Sequence, residues 1–290
     1  MSDQLRPRRS VLYMPGANER ALEKAKGIDA DALILDLEDA VSPDAKLEAR
    51  DRVCAAVASG EYGHRELAIR INGIGTEWHE ADLAAASAAG PDAVLVPKVN
   101  SAAEVLQLVA ALEANGAPAH TALWAMVETP IALLHAEEIA AAHERLTVIV
   151  MGTNDVVNET YGLHVPGRNP LVLTAISISL LAARAAGKVI LDGVYNDVKN
   201  AEGFEAEARQ GREMGFDGKT LIHPSQVEPA NAAFGPSDDE IEHAKSMIAT
   251  FEEGKAAGQG VVTFNGTMIE ELHVRDAHRI LASAEAIASR

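Results

Sequence analysis

Two acidic residues, Glu128 and Asp155, follow successive apolar runs of the sequence and are candidates for a metal site. The two runs cover residues 122–127 and 146–151. If both runs are parallel strands of one sheet, the two carboxylates lie at the same edge of that sheet. Two oxygen ligands that leave other positions to water or substrate suit Mg²⁺ better than Ca²⁺. The pair therefore predicts a magnesium site, and the alternative is two ordinary carboxylates that cap the following helices.

Arg70 points to a second kind of chemistry near the end of the run 67–71. A guanidinium there can bind a substrate carboxylate or stabilise a developing enolate through charge-assisted hydrogen bonds. Glu38 and Asp39 follow an earlier run, and together with the metal pair they exceed what one metal ion needs. We therefore expect Glu38 and Asp39 to hold metal-bound water and to orient Arg70 or Lys98. The alternative is a structural ion pair between Arg70 and either acid.

A small group of polar and basic residues lies close to the first apolar run and could bind the phosphates of a bulky anionic ligand. Its members are Asn18, Arg20, Lys24 and Lys26. The alternative is a solvated helix on which the cations pair with Glu19 and Glu23. Farther along the chain, His223 stands at the end of the last apolar run. For its side chain a ligand contact and a structural hydrogen bond are both open.

The candidate residues are distributed over eight short apolar runs, most of which end at a polar residue. The runs are residues 10–14, 32–36, 67–71, 93–96, 122–127, 146–151, 189–191 and 219–222. Helical patterns separate them, including residues 19–28, 102–113, 131–143, 170–186 and 201–214. Strands that alternate with helices require parallel pairing with right-handed crossovers. The pattern predicts an α/β fold, the (β/α)8 TIM barrel, in which all strand ends meet at one mouth. A doubly wound open sheet shares the alternation, but the number of runs and the lack of a nucleotide-binding loop favour the barrel.

We assign residues 1–235, where the alternation holds, to the barrel, and residues 236–290 to a C-terminal segment. Ser237 begins an amphipathic helix in this segment. The pair Asn265-Gly266 between short apolar stretches predicts a tight hairpin, because both turn positions require positive φ. A last helix follows over residues 274–288. This helix-hairpin-helix suits a lid over the barrel mouth, and the alternative is a plug or an oligomer contact.

Composition limits the class of protein. The 290 residues carry a net charge of −18 at pH 7, which argues against nucleic acid or an anionic membrane as a partner. No leader pattern and no apolar run of about 20 residues is recognised, which predicts a cytoplasmic protein. The single cysteine, Cys54, excludes an internal disulfide and lies in an alanine-rich helical pattern. We expect it to be a buried structural thiol.

Seven short motifs occur in a characteristic order along the chain. They are the segments 9–16, 36–41, 70–73, 96–99, 128–130, 152–155 and 222–224. In this combination the chain resembles the citrate lyase β-subunit-like family of the HpcH/HpaI aldolase superfamily. Malyl-CoA lyases and (3S)-malyl-CoA thioesterases are among its members. The resemblance covers essentially the whole chain, including the C-terminal segment.

The resemblance implies a Mg²⁺-dependent barrel, with Mn²⁺ as an alternative ion, that acts on CoA thioesters of hydroxy acids. It also implies a homo-oligomer, a trimer or a dimer of trimers, with the lid of one subunit over a neighbouring subunit's site. Glu128 and Asp155 match the metal ligands of the family, and Arg70 matches its substrate clamp. The expected contacts to CoA or substrate are Tyr13, Asn18, Arg20, Lys24, Asn154, Asp155, Ile222 and His223. Malyl-CoA lyases have an arginine at the position of Asn18, and we expect Arg20 to replace it.

For a malyl-type substrate the resemblance implies C–C cleavage of the retro-Claisen type, which gives an acyl-CoA plus glyoxylate or another 2-oxo acid. In lyases of the family a lid aspartate protonates the enolate, and the matching residue here is Glu270. Its extra methylene moves the carboxylate by about an ångström. This departure resembles the thioesterase branch, so hydrolysis of (3S)-malyl-CoA to malate and CoA is the alternative reaction. Further alternatives are a citryl-CoA lyase (citrate lyase β subunit) and a non-catalytic acyl-CoA-binding barrel.

Overall fold

The chain folds around a closed barrel of eight parallel strands. In the computed structural model, which describes residues 6–290, the strands follow one another around the barrel in chain order. They are β1 (Ser10–Pro15), β2 (Ala32–Asp36), β3 (Glu66–Arg70), β4 (Ala93–Val96), β5 (Ala122–Val127), β6 (Leu146–Met151), β7 (Val189–Asp192) and β8 (Gly218–Leu221). The prediction of a TIM barrel is confirmed, and the apolar runs end within about one residue of the strands.

Helices follow the strands and surround the barrel. They are α1 (Glu19–Ala25), α2 (Lys46–Ala58), α3 (His79–Ala89), α4 (Ala102–Ala114), α5 (Pro130–Leu134), α6 (Ala136–Ala141), α7 (Thr153–Glu159), α8 (Pro170–Ala185), α9 (Ala201–Met214) and α10 (Val227–Phe234). Asn18, Ser101 and Thr129 each accept a main-chain N–H of the following first turn. These caps stabilise helix starts that lie directly after the strand ends. Within residues 6–290, no helix has the length and apolar character to cross a membrane.

The structure corrects three predictions about the helices. The single helix expected over residues 131–143 is two helices, because His135 leaves the helical conformation at φ −107° and ψ 14°. The Nδ1 atom of His135 lies 3.2 Å from the main-chain oxygen of Asn100, a distant contact that periodicity does not reveal. Helix α1 ends at Ala25, before the predicted end. Cys54 on α2 is partly exposed rather than buried, and its partial burial raises the pKa of the thiol above the ordinary value.

Apolar side chains fill the interior of the barrel. Trp124 on β5 is the largest of the fully buried side chains. It belongs to a cluster that also contains Val11, Ile34, Ala68, Leu95, Met126, Val148, Val150 and Leu191. Because this interior is packed, Arg70 and Glu128 stand at or just past the carboxyl ends of their strands rather than inside it.

By its internal contacts the chain divides into two compact units, Arg8–Ala233 with the barrel, and a second that includes Phe234–Arg290. The second unit contains α11 (Asp238–Ala256), β9 (Val262–Phe264), β10 (Thr267–Ile269) and α12 (Glu271–Ala288). Strands β9 and β10 form an antiparallel hairpin, and both of its turn residues have positive φ, 50° at Asn265 and 79° at Gly266. The predicted helix-hairpin-helix is confirmed. Its role as a lid stays a prediction.

Candidate active site

Arg70 is held at the carboxyl end of β3 by a bidentate ion pair with Asp36. The parallel register places these two residues opposite each other on β2 and β3. Nε and one terminal nitrogen of Arg70 lie 2.7 and 2.6 Å from the two Asp36 carboxylate oxygens. Asp36 is fully buried, and Arg70 is 7% exposed. Sequence reasoning missed Asp36; the available signal was an acidic residue at the end of an otherwise apolar run.

Tyr13 on β1 contacts the guanidinium of Arg70. The guanidinium carbon lies 4.8 Å from the centre of the Tyr13 ring, within the range of a cation–π contact. Burial raises the pKa of Tyr13 above its ordinary value, against the opposing effect of Arg70, so the hydroxyl stays protonated. Burial would also lower the pKa of Arg70, but the charge and the hydrogen bond of Asp36, together with the charge of Glu38, outweigh it and the pKa is raised. The structure thus brings Tyr13 and Arg70, both predicted site residues, into contact. The CoA contact of Tyr13 stays a prediction.

Glu38 completes this cluster, whereas Asp39 lies mostly in solvent. A carboxylate oxygen of Glu38 is 2.8 Å from the remaining terminal nitrogen of Arg70. The corresponding Asp39 distance is 3.6 Å, and the Asp39 side chain is 76% exposed. Burial raises the pKa of Glu38 to about 7; the charge of Arg70 opposes this rise, and the charges of Asp39 and Asp36 add to it. The ion pair expected as an alternative therefore exists, and Glu38 can exchange a proton near neutral pH.

The raised pKa of Glu38 predicts how stability changes with pH in the metal-free protein. The pKa rises from an ordinary 4.5 to about 7 on folding, so between these values the folded chain binds more protons than the unfolded chain. The free energy of unfolding should therefore fall as pH rises through this window, by about 1–3 kcal/mol from this group. Denaturant titrations in EDTA between pH 4.5 and 8 measure the slope. Glu38→Gln should reduce the slope by the share of this group, leaving that of Glu128, whose pKa is also raised. An unchanged slope in that variant would contradict the assignment.

A buried polar network holds the segment between β2 and α2 that carries Glu38. Asp36 accepts the main-chain N–H groups of Glu38 and Ala40 at 2.9 and 3.1 Å. Lys46 donates to the main-chain oxygen of Glu38 at 2.7 Å and to the Asn72 side chain at 2.7 Å. Asn72 in turn donates to Asp82 at 2.6 Å. Asn72 is thus part of the scaffold, and it fixes the loop on which Glu38 depends.

Glu128 is buried directly after β5, and its carboxylate is tightly confined. One oxygen accepts the main-chain N–H of Lys98 at 2.8 Å. On the other side lies Gly152, where an added Cβ would stand 2.2 Å from the second carboxylate oxygen. Burial and the charges of Asp155 and Glu38 raise the pKa of Glu128 to about 8. The site thus crowds negative charge around a carboxylate that is withdrawn from water, which favours a bound cation.

Gly152→Ala should destabilise the protein and displace Glu128. The new methyl group would overlap both the carboxylate and the Cβ of Glu128, so the strand end must shift. We expect a loss of about 1–3 kcal/mol in the free energy of unfolding, the usual cost of overpacking, measured by urea denaturation. Gly27→Ala is the matched control, because its nearest atom would be 3.8 Å away in ordinary contact. Equal stability of both variants would contradict the confinement of Glu128.

Asp155 lies in the first turn of α7 and pairs with Lys98. The Lys98 ammonium is 3.2 Å from a carboxylate oxygen of Asp155 and 3.6 Å from one of Glu159. Lys98 itself has φ +51°, in the left-handed region that is uncommon for residues other than glycine. Burial alone would lower the pKa of Lys98, but the hydrogen bond to Asp155 and the charges of Asp155, Glu128 and Glu159 together outweigh it, so the pKa is raised. Lys98 was noticed in the sequence only as a possible cation to be oriented, and its contacts make it part of the site.

The donor set of this pair fits a hard divalent cation. Among residues 6–290, no group of three or more histidine, cysteine, aspartate or glutamate side chains is arranged to hold a metal. A cation at Glu128 and Asp155 would thus have two protein carboxylates, with its other positions taken by water or substrate. That ligand set suits Mg²⁺, which keeps several waters. The confined, buried Glu128 carboxylate with its raised pKa supports the same assignment.

The positions expected to contact CoA occupy helix starts and loops. Asn18 caps α1 through a 3.1 Å bond from the Ala21 N–H, while Arg20 and Lys24 are exposed on α1. Ile222 is 40% exposed just beyond β8. The ring of His223 accepts the main-chain N–H of Ser225, so the structural bond considered for it exists. These placements leave the side chains of Arg20, Lys24 and Ile222 accessible, and their ligand contacts stay predictions.

Asn154, beside Asp155, lies on the wall of a cavity of about 340 Å³. Its amide exchanges two hydrogen bonds with Asn196, at 2.8 and 3.1 Å. Tyr195 and Arg168 also line this cavity. The side chain of Asn154 is thus already paired, and its contact to a substrate stays a prediction.

Glu270 belongs to the C-terminal unit, where it precedes α12. Its side chain accepts a main-chain N–H of the first helical turn, and its own N–H donates to the His273 ring at 3.0 Å. Glu270 is exposed and forms a capping box with this histidine. This observation explains the residue structurally, and its acid–base role stays a prediction.

The family model of the HpcH/HpaI aldolase/citrate lyase family matches residues 9–224, most of the chain. The chain belongs to this family. The match covers Tyr13, Arg70, Glu128 and Asp155, so the resemblance inferred from the ordered motifs is confirmed.

Relatives within the family cover nearly the whole chain. A (3S)-malyl-CoA thioesterase of Cereibacter sphaeroides strain KD131 is 52% identical over 290 residues, which are 100% of this chain and 99% of the relative. The citrate lyase subunit beta of Escherichia coli K12 is 36% identical, over 97% of this chain and 94% of the relative. Among solved structures, CitE from Mycobacterium tuberculosis in complex with magnesium, acetoacetate and coenzyme A has a TM-score of 0.78 at 29% identity. That match covers 95% of this chain and 97% of the CitE chain.

Proposed function

We propose that this protein is a Mg²⁺-dependent enzyme that acts on malyl-CoA-type hydroxyacyl-CoA thioesters and that its principal reaction is hydrolysis of (3S)-malyl-CoA to malate and CoA. The observation that carries the choice of reaction is the 52% identity to (3S)-malyl-CoA thioesterase over the whole chain. The geometry supports the substrate class, because a cationic clamp and a carboxylate pair stand at the same mouth. Mn²⁺ would suit the same oxygen donors.

Arg70 would bind the charged end of the substrate or the oxygen on which charge develops. Its Nε and one terminal nitrogen are fixed by Asp36, and its guanidinium carbon lies 4.8 Å from the centre of the Tyr13 ring, so the guanidinium is oriented before substrate binds. Such preorganised donors stabilise transition-state charge more than mobile ones do. Because its pKa is raised, Arg70 stays positively charged throughout.

Glu38 is suited to the proton transfer that hydrolysis needs. In the proposed reaction water adds to the thioester carbonyl carbon, the carbon–sulfur bond breaks, and the departing sulfur takes a proton to give the free thiol. A group with a pKa of about 7 can accept the proton of the water and return it to the sulfur. Glu128 and Asp155 would hold the cation, which when bound supplies Lewis-acid polarisation and neutralises negative charge at the oxygens it contacts.

The second candidate reaction is C–C cleavage of the same substrate to acetyl-CoA and glyoxylate. It is favoured by the 36% identity to citrate lyase subunit beta and by the likeness to CitE in complex with coenzyme A. The same two likenesses also support a citryl-CoA lyase subunit, which is a weaker candidate. A non-catalytic acyl-CoA-binding barrel is disfavoured by the presence of Arg70, Glu128 and Asp155 together.

One product analysis distinguishes these candidates. Purified protein is incubated with (3S)-malyl-CoA with and without Mg²⁺, and the products are identified by mass spectrometry and thiol titration. Malate with free thiol supports the thioesterase, whereas acetyl-CoA with glyoxylate supports the lyase. Inactivity on malyl-, methylmalyl-, citramalyl- and citryl-CoA would refute the proposed substrate class.

Glu270→Asp tests whether the C-terminal unit selects the reaction. If the Glu270 carboxylate takes part in proton transfer, a shorter side chain should shift the ratio of hydrolysis to C–C cleavage by about tenfold or more. The ratio of malate to glyoxylate measures the effect. Glu271→Asp is the neighbouring control. An unchanged ratio in Glu270→Asp would assign the residue to helix capping alone.

The proposal includes a homo-oligomer, a trimer or a dimer of trimers, in which one chain's C-terminal unit covers a neighbour's site. It is supported by large apolar side chains that are exposed in the single chain, among them Leu134, Leu163 and Leu181 at 80%, 76% and 71%. Light scattering during size-exclusion chromatography measures the mass, and a monomer would contradict this part. A cytoplasmic location belongs to the same proposal and is tested by cell fractionation.

A further inference from the structure

Lys98 contacts both members of the candidate metal pair, through its main chain and through its side chain. The main-chain N–H donates to Glu128 at 2.8 Å, and the ammonium lies 3.2 Å from Asp155. The first contact orients a carboxylate. The second places a positive charge on the carboxylate that a divalent cation would also need.

The main-chain contact of Lys98 to Glu128 does not depend on the side-chain contact to Asp155. The neighbours Pro97 and Val99 are buried, so their packing fixes the main chain of Lys98 in its left-handed conformation at φ +51°. The N–H therefore stays directed at Glu128 when the Lys98 side chain moves. The Lys98 side chain itself is 46% exposed and can move without disturbing that bond.

Glu159 offers the ammonium a second acceptor. It stands four residues after Asp155 on α7, one turn along the helix, and its carboxylate is already 3.6 Å from the Lys98 nitrogen. A short movement of the ammonium toward Glu159 would uncover Asp155 and keep an ion pair. The two possible acceptors of the ammonium, Asp155 and Glu159, thus lie one turn apart on the same helix.

We propose that Lys98 is an exchangeable counter-ion of the metal pair: its ammonium neutralises Asp155 in the cation-free protein and transfers to Glu159 when a divalent cation binds. The inference rests on the proposed metal role of Glu128 and Asp155. Because the cation must displace a resident positive charge, Lys98 weakens its binding. It also keeps Asp155 in place while the site lacks the cation.

Lys98→Met, which removes the charge and keeps the length, should lower the Kd for Mn²⁺ by about three- to tenfold. Lys98→Gly should do the same, since glycine adopts the positive φ without strain and retains the N–H. Lys98→Arg keeps the charge and should bind Mn²⁺ like the wild type. Mn²⁺ titration followed by electron paramagnetic resonance measures Kd without substrate or turnover. The matched control is Lys245→Met, an exposed lysine of the C-terminal unit paired with Glu242.

Glu159→Gln tests the transfer itself. Without its second acceptor the ammonium stays on Asp155, so Mn²⁺ binding should weaken by about threefold. In the Lys98→Met background the same change should have a smaller effect, because that variant has no ammonium for Glu159 to accept. Equal effects of Glu159→Gln in both backgrounds would overturn the transfer.

The outcomes separate this inference from the metal site on which it rests. No Mn²⁺ binding by the wild type would contradict both the metal site and the counter-ion role of Lys98. Binding by the wild type with an unchanged or higher Kd in Lys98→Met and Lys98→Gly would overturn the counter-ion role alone. An unchanged Kd for Mn²⁺ with a raised KM for malyl-CoA would instead assign Lys98 to the substrate.

Discussion

Glu128→Gln is expected to reduce Mg²⁺-dependent turnover of malyl-CoA by about 100-fold or more while the fold is retained. The amide can still accept the Lys98 N–H, but it lacks the negative charge that attracts the cation. In EDTA the variant should be at least as stable as the wild type. The reason is that burial and the charges of Asp155 and Glu38 raise the pKa of Glu128 to about 8, so the ionised carboxylate is unfavourable in the metal-free protein. Steady-state kinetics, Mn²⁺ titration and thermal denaturation provide the three readouts.

Glu138→Gln, at an exposed position on α6, is the control for the loss of one carboxylate. It should leave turnover and Mn²⁺ affinity unchanged. Full activity in Glu128→Gln, or a normal Kd for Mn²⁺, would rule out Glu128 as a metal ligand. Loss of the folded state in EDTA would show instead that the buried carboxylate supports the barrel.

Arg70→Met should cause the largest loss of stability, about 3–5 kcal/mol in the free energy of unfolding, and should abolish detectable turnover. The reason is that Asp36 is fully buried, and removal of its bidentate partner leaves an uncompensated buried charge. Urea denaturation and product assays measure the two effects. The exposed pair of Arg279 with Asp276 provides the control, since Arg279→Met should leave stability almost unchanged.

The double variant Arg70→Met, Asp36→Asn separates the structural effect from the chemical one. The asparagine side chain would carry no charge and could still accept the Glu38 N–H, so most of the lost stability should return. Turnover should not return, because the cationic clamp is still missing. Recovery of activity together with stability would show that Arg70 serves only to neutralise Asp36.

The order of apolar runs determined the barrel, because eight buried parallel strands with intervening helices have few other solutions. The positions at or just past the ends of those runs also placed Arg70, Glu128 and Asp155 at the barrel mouth. Asn265-Gly266 specified the hairpin locally, through the positive φ that both turn residues require. These features depend on periodicity and on local conformational preference, and both are written in short stretches of sequence.

The tertiary structure decided which charges meet. Asp36 pairs with Arg70 because the register of β2 and β3 aligns them, and Lys98 reaches Asp155 from another strand end. Gly152 confines Glu128, and His135 divides a helix beside Asn100. Each of these contacts joins residues that are distant in the chain, at separations of a few ångströms. Periodicity assigns a residue to a face or an end of an element, whereas such distances depend on strand register, side-chain direction and packing of the whole barrel.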